Sequence, residues 1–402
     1  MELTIKILNR LNISKPQKKF FIVLFTTILA ARGKINFRNL SRYSDLCEHT
    51  YSRNFAKPFD FVGFNRQLID ATFSQEDERI LAFDPSFIPK SGRHTFGRDR
   101  FWNGRVSRSE KGLEISSLCV VNVSSNQALT LSVQQTHSRN EGESNQAGDD
   151  TRVDQYLSHL QLVRSSLAKN EKYLAVDGYF SKEKYITGVT ALNLNIIGKL
   201  RSDANMRFLY KGSQRKGPGR KKTYDGKVGW NDLSRFTYAG IDGNVTLYTA
   251  VLNHIRFDRN LRVVVLLKHN FGEVSQYVIL FSTDTELDPF KIYQFYKARF
   301  QVEFLFRDAK QFTGLCDCQA RDQRRLHFHF NASLTALNLA KAELINAQET
   351  NQPFVCSIAS VKALYFNKHF LNRIFSILDF DPTCNKYIDG YQKLLHYGSI
   401  AA

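Results

Sequence analysis

Between residues 79 and 200, apolar runs of strand length alternate with helical periodicity, and their order limits the fold more than any other feature. Arg79–Asp84 is an apolar run stopped by Pro85, which has no N–H to give a ladder. Leu113–Val123 and Ala128–Gln134 follow, joined by the turn-like Ser124-Ser125-Asn126-Gln127. Val153–Ala168 has the spacing of an amphipathic helix, and Tyr173–Gly178 is a buried strand stopped by an acid and a glycine. A short helix, Lys182–Thr190, leads to a fifth strand, Leu194–Leu200. The order β-β-β-α-β-α-β describes an α/β fold with a mixed sheet flanked by helices.

Residues 1–75 read as helical, with a buried helix at Phe20–Ala31 and two short helices at Asn36–Tyr43 and Glu48–Phe55. The tight turn between the short helices suits a helix-turn-helix, in which Tyr51, Arg53 and Lys57 would face DNA. A small bundle with a solvated basic face is the alternative. Residues 201–285 interrupt the α/β alternation with a basic loop and four β-branched or aromatic runs, Phe236–Ala239, Val245–Leu252, Leu261–Lys268 and Tyr277–Ser282. They read as a β-rich insertion. A long helix is expected over Pro289–Phe312, and the tail is mostly helical, with Leu326–Ile345 and Val361–Leu378 suited either to a dimer interface or to simple packing on the core. The expected divisions are 1–75, 76–200, 201–285, 286–325 and 326–402.

Charge says what such a chain meets. Lys and Arg number 56 against 38 Asp and Glu, a formal net charge of +18. That excess predicts a polyanionic partner, of which nucleic acid is the usual one. Six cysteines without paired spacing exclude a disulfide scaffold. The longest apolar run, Phe20–Ala31, is far short of the roughly 20 residues that span a bilayer, and no cleavage site follows it. The expectation is a cytoplasmic protein with reduced thiols and no membrane contact, associated with the nucleoid when bound to DNA.

Asp84 and Asp177 each end a strongly apolar strand. Each alone reads as a solvated strand-end carboxylate; a third acid makes them informative. Glu303 is that acid, on the long helix, where Tyr296, Arg299, Glu303 and Lys310 fall within a stripe roughly 60° wide. An exposed face with an Arg299–Glu303 pair explains the same spacing. Three carboxylates from distant points suit phosphoryl transfer on DNA by two Mg²⁺ ions about 3.5–4 Å apart. A Tyr, an Arg and a Lys beside them would grip the flanking phosphates.

Tyr296-x2-Arg299-x3-Glu303-x6-Lys310 matches the Y-(2)-R-(3)-E-(6)-K signature without departure, and on it the chain resembles the IS4-type DDE transposases. Phe83-Asp84-Pro85-Ser86-Phe87-Ile88-Pro89-Lys90-Ser91-Gly92, with Phe101-Trp102-Asn103-Gly104 after it, looks like that family's first-Asp region. Leu174-Ala175-Val176-Asp177-Gly178-Tyr179-Phe180 looks like its second. The resemblance covers residues 78 to about 330. It implies an RNase H-like core with a β-rich insertion before the Glu helix. It implies Asp84, Asp177 and Glu303 as catalytic metal ligands for two Mg²⁺, with Mn²⁺ as a substitute, and Tyr296, Arg299 and Lys310 as phosphate holders. The activity implied is that of a DNA transposase, which binds terminal inverted repeats as a homodimer, frees a 3′-hydroxyl and joins it to target DNA. A two-metal nuclease without strand transfer, and a DNA-binding regulator derived from a transposase, are the alternatives.

Basic and aromatic stretches complete the reading. Lys211–Lys222 carries Lys211, Arg215, Lys216, Arg220, Lys221 and Lys222 and no acid, which suits a phosphate-contacting arm or else a solvated loop. Lys90, Arg93, His94, Arg98, Arg100, Arg105 and Arg108 follow Asp84 and are expected along the DNA channel. Of the two tryptophans, Trp230 is favoured over Trp102 for stacking on an unpaired base, against core packing as the commoner fate. Cys316-x-Cys318 is too tightly spaced for a usual zinc pair, and His327 and His329 do not share a helix face.

Overall fold

The computed structural model describes residues 1–137, 151–270, 273–349, 357–379 and 385–400. Five helices come first: α1 (Glu2–Arg10), α2 (Lys15–Ala30), α3 (Phe37–Arg42), α4 (Glu48–Phe55) and α5 (Phe61–Thr72). Ser14 and Gln17 form a capping box at the start of α2, and Asp60 caps α5 through the Gly63 amide.

The strands that follow are β1 (Arg79–Pro89), β2 (Asp99–Asn103), β3 (Arg108–Asn122) and β4 (Gln127–Thr136). Then come α6 (Arg152–Val163), β5 (Tyr173–Ala175), α7 (Glu183–Ala191) and β6 (Asn195–Leu200). β1 pairs antiparallel with β3 and parallel with β5, and β5 runs parallel to β6. β4 lies on the outer edge of β3, so the order β4-β3-β1-β5-β6 is that of an RNase H-like core. β1 does not stop at Asp84 as expected but continues through Pro85 to Pro89. β5 meets β1 only at Leu81 and Ala82, so beyond them that edge is open and a missing donor breaks no ladder.

The insertion supplies β7 (Met206–Leu209), β8 (Tyr224–Lys227), β9 (Thr237–Asp242), β10 (Val245–His254), β11 (Arg259–Asn270) and β12 (Glu273–Ser282). β12 pairs antiparallel with β6, so the insertion extends the core sheet: β6-β12-β11-β10-β7-β8, with β9 also on β10. The junction rests on one glycine. Gly198 sits opposite Phe281, and a Cβ there would lie 2.8 Å from the Phe281 ring. Gly198→Ala is expected to cost about 1–3 kcal/mol by overpacking, read by urea denaturation. An unchanged midpoint would mean that the ring has room to move.

The remaining helices are α8 (Pro289–Ala298), α9 (Gln301–Phe312), α10 (Gln323–Glu349), α11 (Ile358–Ile377) and α12 (Asn385–Leu395). Asp288 caps α8 and Pro289 occupies its first turn. The single long helix expected over Pro289–Phe312 is therefore two. The joint carries i→i+3 bonds from the amides of Phe300, Val302 and Glu303 to the carbonyls of Lys297, Arg299 and Phe300. No Gly or Pro marks it in the sequence.

The sheet has two faces. Ile80, Ala82 and Ala175 pack with α8, α9 and α10 through Ile292, Phe295, Val302 and Leu305. Leu81, Phe83 and Val176 pack with α6 and α7 through Tyr156, Leu160 and Val189. A third core joins α1–α5 to one side of α10 at Phe328, Ala332, Ala336 and Leu339. The other side of α10, at Phe330, Leu334 and Leu337, belongs to the sheet core. Leu326–Ile345, expected as a possible interface between protomers, is thus occupied within the chain. α11 and the segment after it leave Phe370, Ile377, Leu378, Leu394 and Tyr397 exposed.

Candidate active site

Period-two alternation decides where the acids point. Ala82 and Ala175 face α9 while Phe83 and Val176 face α6, so Asp84 and Asp177 fall on the α9 side. Asp177 lies two residues past the end of β5 and caps the next turn, its Oδ1 accepting from the Tyr179 amide at 2.9 Å. Asp84, Asp177 and Glu303 line one cavity of about 740 Å³, with α9 as one wall and the β2–β3 hairpin as the other. A second cavity of about 650 Å³ meets the first at Asp177 and Tyr179, and Lys199, Arg201, Tyr277 and Tyr296 line it.

The electrostatics are those of crowded anions. Burial, and then the neighbouring Asp177, push the Asp84 carboxyl up to about 8; Glu303 and Glu114 add to the rise and Arg299 opposes it. Arg299 donates from Nη2 to Glu303 Oε1 at 3.2 Å. Only the Glu303 half of the pair meets solvent, its side chain being 41% exposed. Arg299 is only 9% exposed, its guanidinium lies 5.6 Å from the Tyr296 ring centre, and its Nε has no partner among the described residues. Lys310 crosses from α9 to β1, donating to Ser86 Oγ at 2.8 Å and Phe87 O at 3.0 Å.

Among the described residues, no three His, Cys, Asp or Glu side chains converge closely enough to hold a metal ion as they stand. The donor chemistry nevertheless fits a hard divalent cation. All three groups are carboxylates, and the charge on Asp84 is penalised by burial and by like charges that a cation would offset.

Other expected residues are placed differently. Lys90 donates to the Cys318 carbonyl, tying the end of β1 to the loop after α9 instead of reaching into the channel. Tyr51 is fully buried against Phe20 and bonds to Ser44, so it cannot face DNA; Arg53 on the same helix is exposed. Trp230 is half-buried, donating to Ala204 O at 3.1 Å with its ring near Phe236. Trp102, ranked below it, is 57% exposed on the cavity wall. His329 bonds to Gly314 O at 2.8 Å and to the Cys318 thiol, while His327 sits against Asn331.

Arg93 is exposed, as are Arg215, Lys216, Arg220, Lys221 and Lys222. The loop between β7 and β8 is clasped by Gln214, which exchanges two hydrogen bonds with the Lys222 backbone. It lies at the far end of the sheet from β1. At about 4.8 Å per strand that is roughly 34 Å along the contour. Glu114 escaped the sequence reading. It is 4% exposed on β3, accepts from Tyr156 Oη at 2.7 Å and lines the same cavity. The sole acid within an otherwise apolar and small-residue run was its signal.

One family profile matches residues 75–339, about two thirds of the chain, and its description is "Transposase DDE domain". No curated protein matches the chain.

Proposed function

The chain belongs to the transposase DDE-domain family, and from that premise we propose that it is an insertion-sequence transposase of the IS4 type. It binds terminal inverted repeats, cleaves a phosphodiester to free a 3′-hydroxyl, and joins that hydroxyl to target DNA. The observation that carries this reading is the convergence of Asp84, Asp177 and Glu303 on one cavity, beside the signature residues Arg299 and Lys310.

Asp84, Asp177 and Glu303 are the groups that would hold two Mg²⁺, or Mn²⁺ in their place. Bound divalent cations supply activation of the attacking oxygen and stabilisation of the leaving one. The protein's own part is placement. The buried Arg299 holds Glu303 in one orientation and adds positive charge where phosphate charge builds up. Lys310 is held by Ser86 and Phe87, two and three residues past Asp84, where its ammonium can meet a phosphate beside the reacting one. Tyr296 serves the same strand from the adjoining cavity. Two ends must be held together during joining, so a homodimer on DNA is proposed, with the exposed apolar residues of α11 and the segment after it available for contact. The protein would act at the nucleoid.

A pre-cut terminal repeat with a free 3′-hydroxyl, incubated with plasmid and Mg²⁺, tests the reading. Joined product supports a transposase. Hydrolysis without joining would leave a nuclease.

The β7–β8 loop adds a distant site on the DNA. The path along the sheet from β1 to it matches roughly ten base pairs of B-DNA, and the twist of the sheet makes the direct span shorter. Changing Arg215, Lys216, Arg220 and Lys221 to Ala is expected to flatten the salt dependence of DNA binding. The log–log slope should fall by about 0.9 for each phosphate the loop no longer neutralises. The cleavage rate at saturating DNA should change little. Fluorescence anisotropy at several salt concentrations reads the slope, and an unchanged slope would remove the loop from the interface.

A further inference from the structure

We propose that Cys316 and Cys318 are a thiol pair that closes to a disulfide under peroxide, so that the placement of the helix carrying Glu303 and Lys310 follows the redox state. The link to cleavage rests on the function proposed above; the thiol pair itself rests on the loop that joins α9 to α10.

Both thiols are free and meet one core. Cys318 is 8% exposed within the cluster that packs α9 on the sheet, and the half-buried Cys316 packs against the same cluster. Trans peptides leave the Cα atoms of residues two apart at most about 7 Å from each other. A disulfide takes about 4.4–6.8 Å, so a bend at Asp317 closes the pair.

Cys318 is not set like an inert core thiol. Cys119 shows the inert state: burial pushes its thiol up to about 12, and its Sγ donates to Ala82 O. Burial acts on Cys318 in the same direction, yet His329 and then Lys90 outweigh it and hold that thiol below its usual range. His329 turns Nε2 to Gly314 O at 2.8 Å, and a carbonyl only accepts, so that nitrogen carries a proton. The same ring bonds to the Cys318 thiol, and Lys90 donates to the Cys318 carbonyl. A thiolate held between an imidazolium and an ammonium is the reactive form of cysteine. Burial raises the Cys316 thiol, with Lys310 opposing, so Cys316 acts second.

The step balances with hydrogen peroxide as a two-electron oxidant. The Cys318 thiolate attacks one peroxide oxygen, the O–O bond breaks, and hydroxide leaves and takes a proton from His329. The Cys316 sulfur then attacks the sulfenic sulfur, the S–S bond forms, and the oxygen departs as water with the Cys316 proton. Two thiols and one peroxide become one disulfide and two waters.

The bend falls on residues that anchor α9. Asp317 Oδ2 accepts from the Ile35 amide at 2.8 Å, and the Asp317 amide donates to Gly314 O at 2.9 Å. Cys318 O takes Lys90 from the strand that carries Asp84. Closing the disulfide strains all three bonds, and the end of α9 loses its hold on the bundle and on β1.

Trypsin cuts after Lys310 and Arg321, so both thiols fall in one peptide, residues 311–321. After peroxide treatment of the parent protein, that peptide should be lighter by two hydrogens and resist alkylation. Cleavage of a terminal repeat should fall by about ten-fold to a hundred-fold, the scale of a small displacement of reacting groups. Dithiothreitol should restore both. Cys318→Ser, which keeps the side chain's size and a polar contact for His329, should cleave near the parent rate and hold that rate in peroxide. Peroxide-treated parent protein in which both thiols still alkylate overturns the proposal, as does a closed disulfide with undiminished cleavage. A disulfide in protein that never cleaves when reduced removes the function proposed above and leaves the thiol pair standing.

Discussion

Asp177→Asn is expected to abolish cleavage of a labelled terminal repeat with Mg²⁺ while leaving the fold intact. Asp177 is the residue at which the two cavities meet, so its loss removes an oxygen donor and a charge at the centre of the site. A metal-binding carboxylate is worth several kcal/mol of transition-state stabilisation, or about 10³-fold in rate. The structural duty of Asp177 is lighter. Its Oδ1 accepts one hydrogen bond from the Tyr179 amide, and the side-chain oxygen of Asn can accept the same bond. One negative charge also leaves a cluster in which Asp84, Asp177 and Glu303 repel one another. The melting temperature in chelator should therefore stay level or rise. Added Mn²⁺ should stabilise the parent and not the variant, since a ligand that binds only the native state raises its stability. Equal cleavage by the two proteins would remove Asp177 from the chemistry. Asp84→Asn should behave alike, because it stands on the same sheet face.

The acids were legible because strand alternation is a local rule. An apolar run ending in an acid fixes both the depth of that acid and the face it takes, and Ala82 and Ala175 fix the face for Asp84 and Asp177. The β-β-β-α-β-α-β order was legible for the same reason, and the sheet order follows it. The α8–α9 joint was not, since Ala298-Arg299-Phe300 contains no helix breaker and the overwinding shows only in its hydrogen bonds. Tyr51 and Lys90 were misplaced because their fates depend on distant chain. The N-terminal core that buries Tyr51 is completed by α10, and the carbonyl that takes Lys90 belongs to Cys318. For the tryptophans, a basic neighbourhood was a poor guide. Trp230 finds a carbonyl and a phenyl ring nearby, while Trp102, on the β2–β3 hairpin, stays 57% exposed.

The largest effect on stability should come from Phe328, where α10 joins the N-terminal bundle to the catalytic sheet. Its ring lies within 4.3–6.5 Å of the ring centres of Phe20, Phe21, Phe55 and Phe61, and it is 3% exposed. Polar bonds reinforce the join: the buried Asn65 accepts from Thr335 and Asn338 and donates to Leu131 O, and Arg66 grips Glu171 through two hydrogen bonds. The Ile35 amide donates to Asp317 at 2.8 Å, and Arg325 donates to Ser52 O at 2.9 Å. Phe328→Ala removes a side chain that touches four of the bundle's aromatic residues, and the remaining rings cannot all close on the gap. The expected cost is about 3–5 kcal/mol. For a chain of this length unfolding as one unit, that is roughly 4–6 °C in melting temperature. If the bundle instead unfolds first, calorimetry should show two transitions, with the earlier one falling further. Phe370→Ala is the control, since that ring is 54% exposed on α11 and should change stability by less than about 0.5 kcal/mol. The consequence for function follows from position. The loop that receives Ile35 is the one that ends α9, so a loosened bundle frees the far end of the helix carrying Glu303 and Lys310. Cleavage by Phe328→Ala protein should fall even at temperatures where the sheet is still folded. A full cleavage rate under those conditions would show that the bundle is a passive attachment, with no part in holding α9.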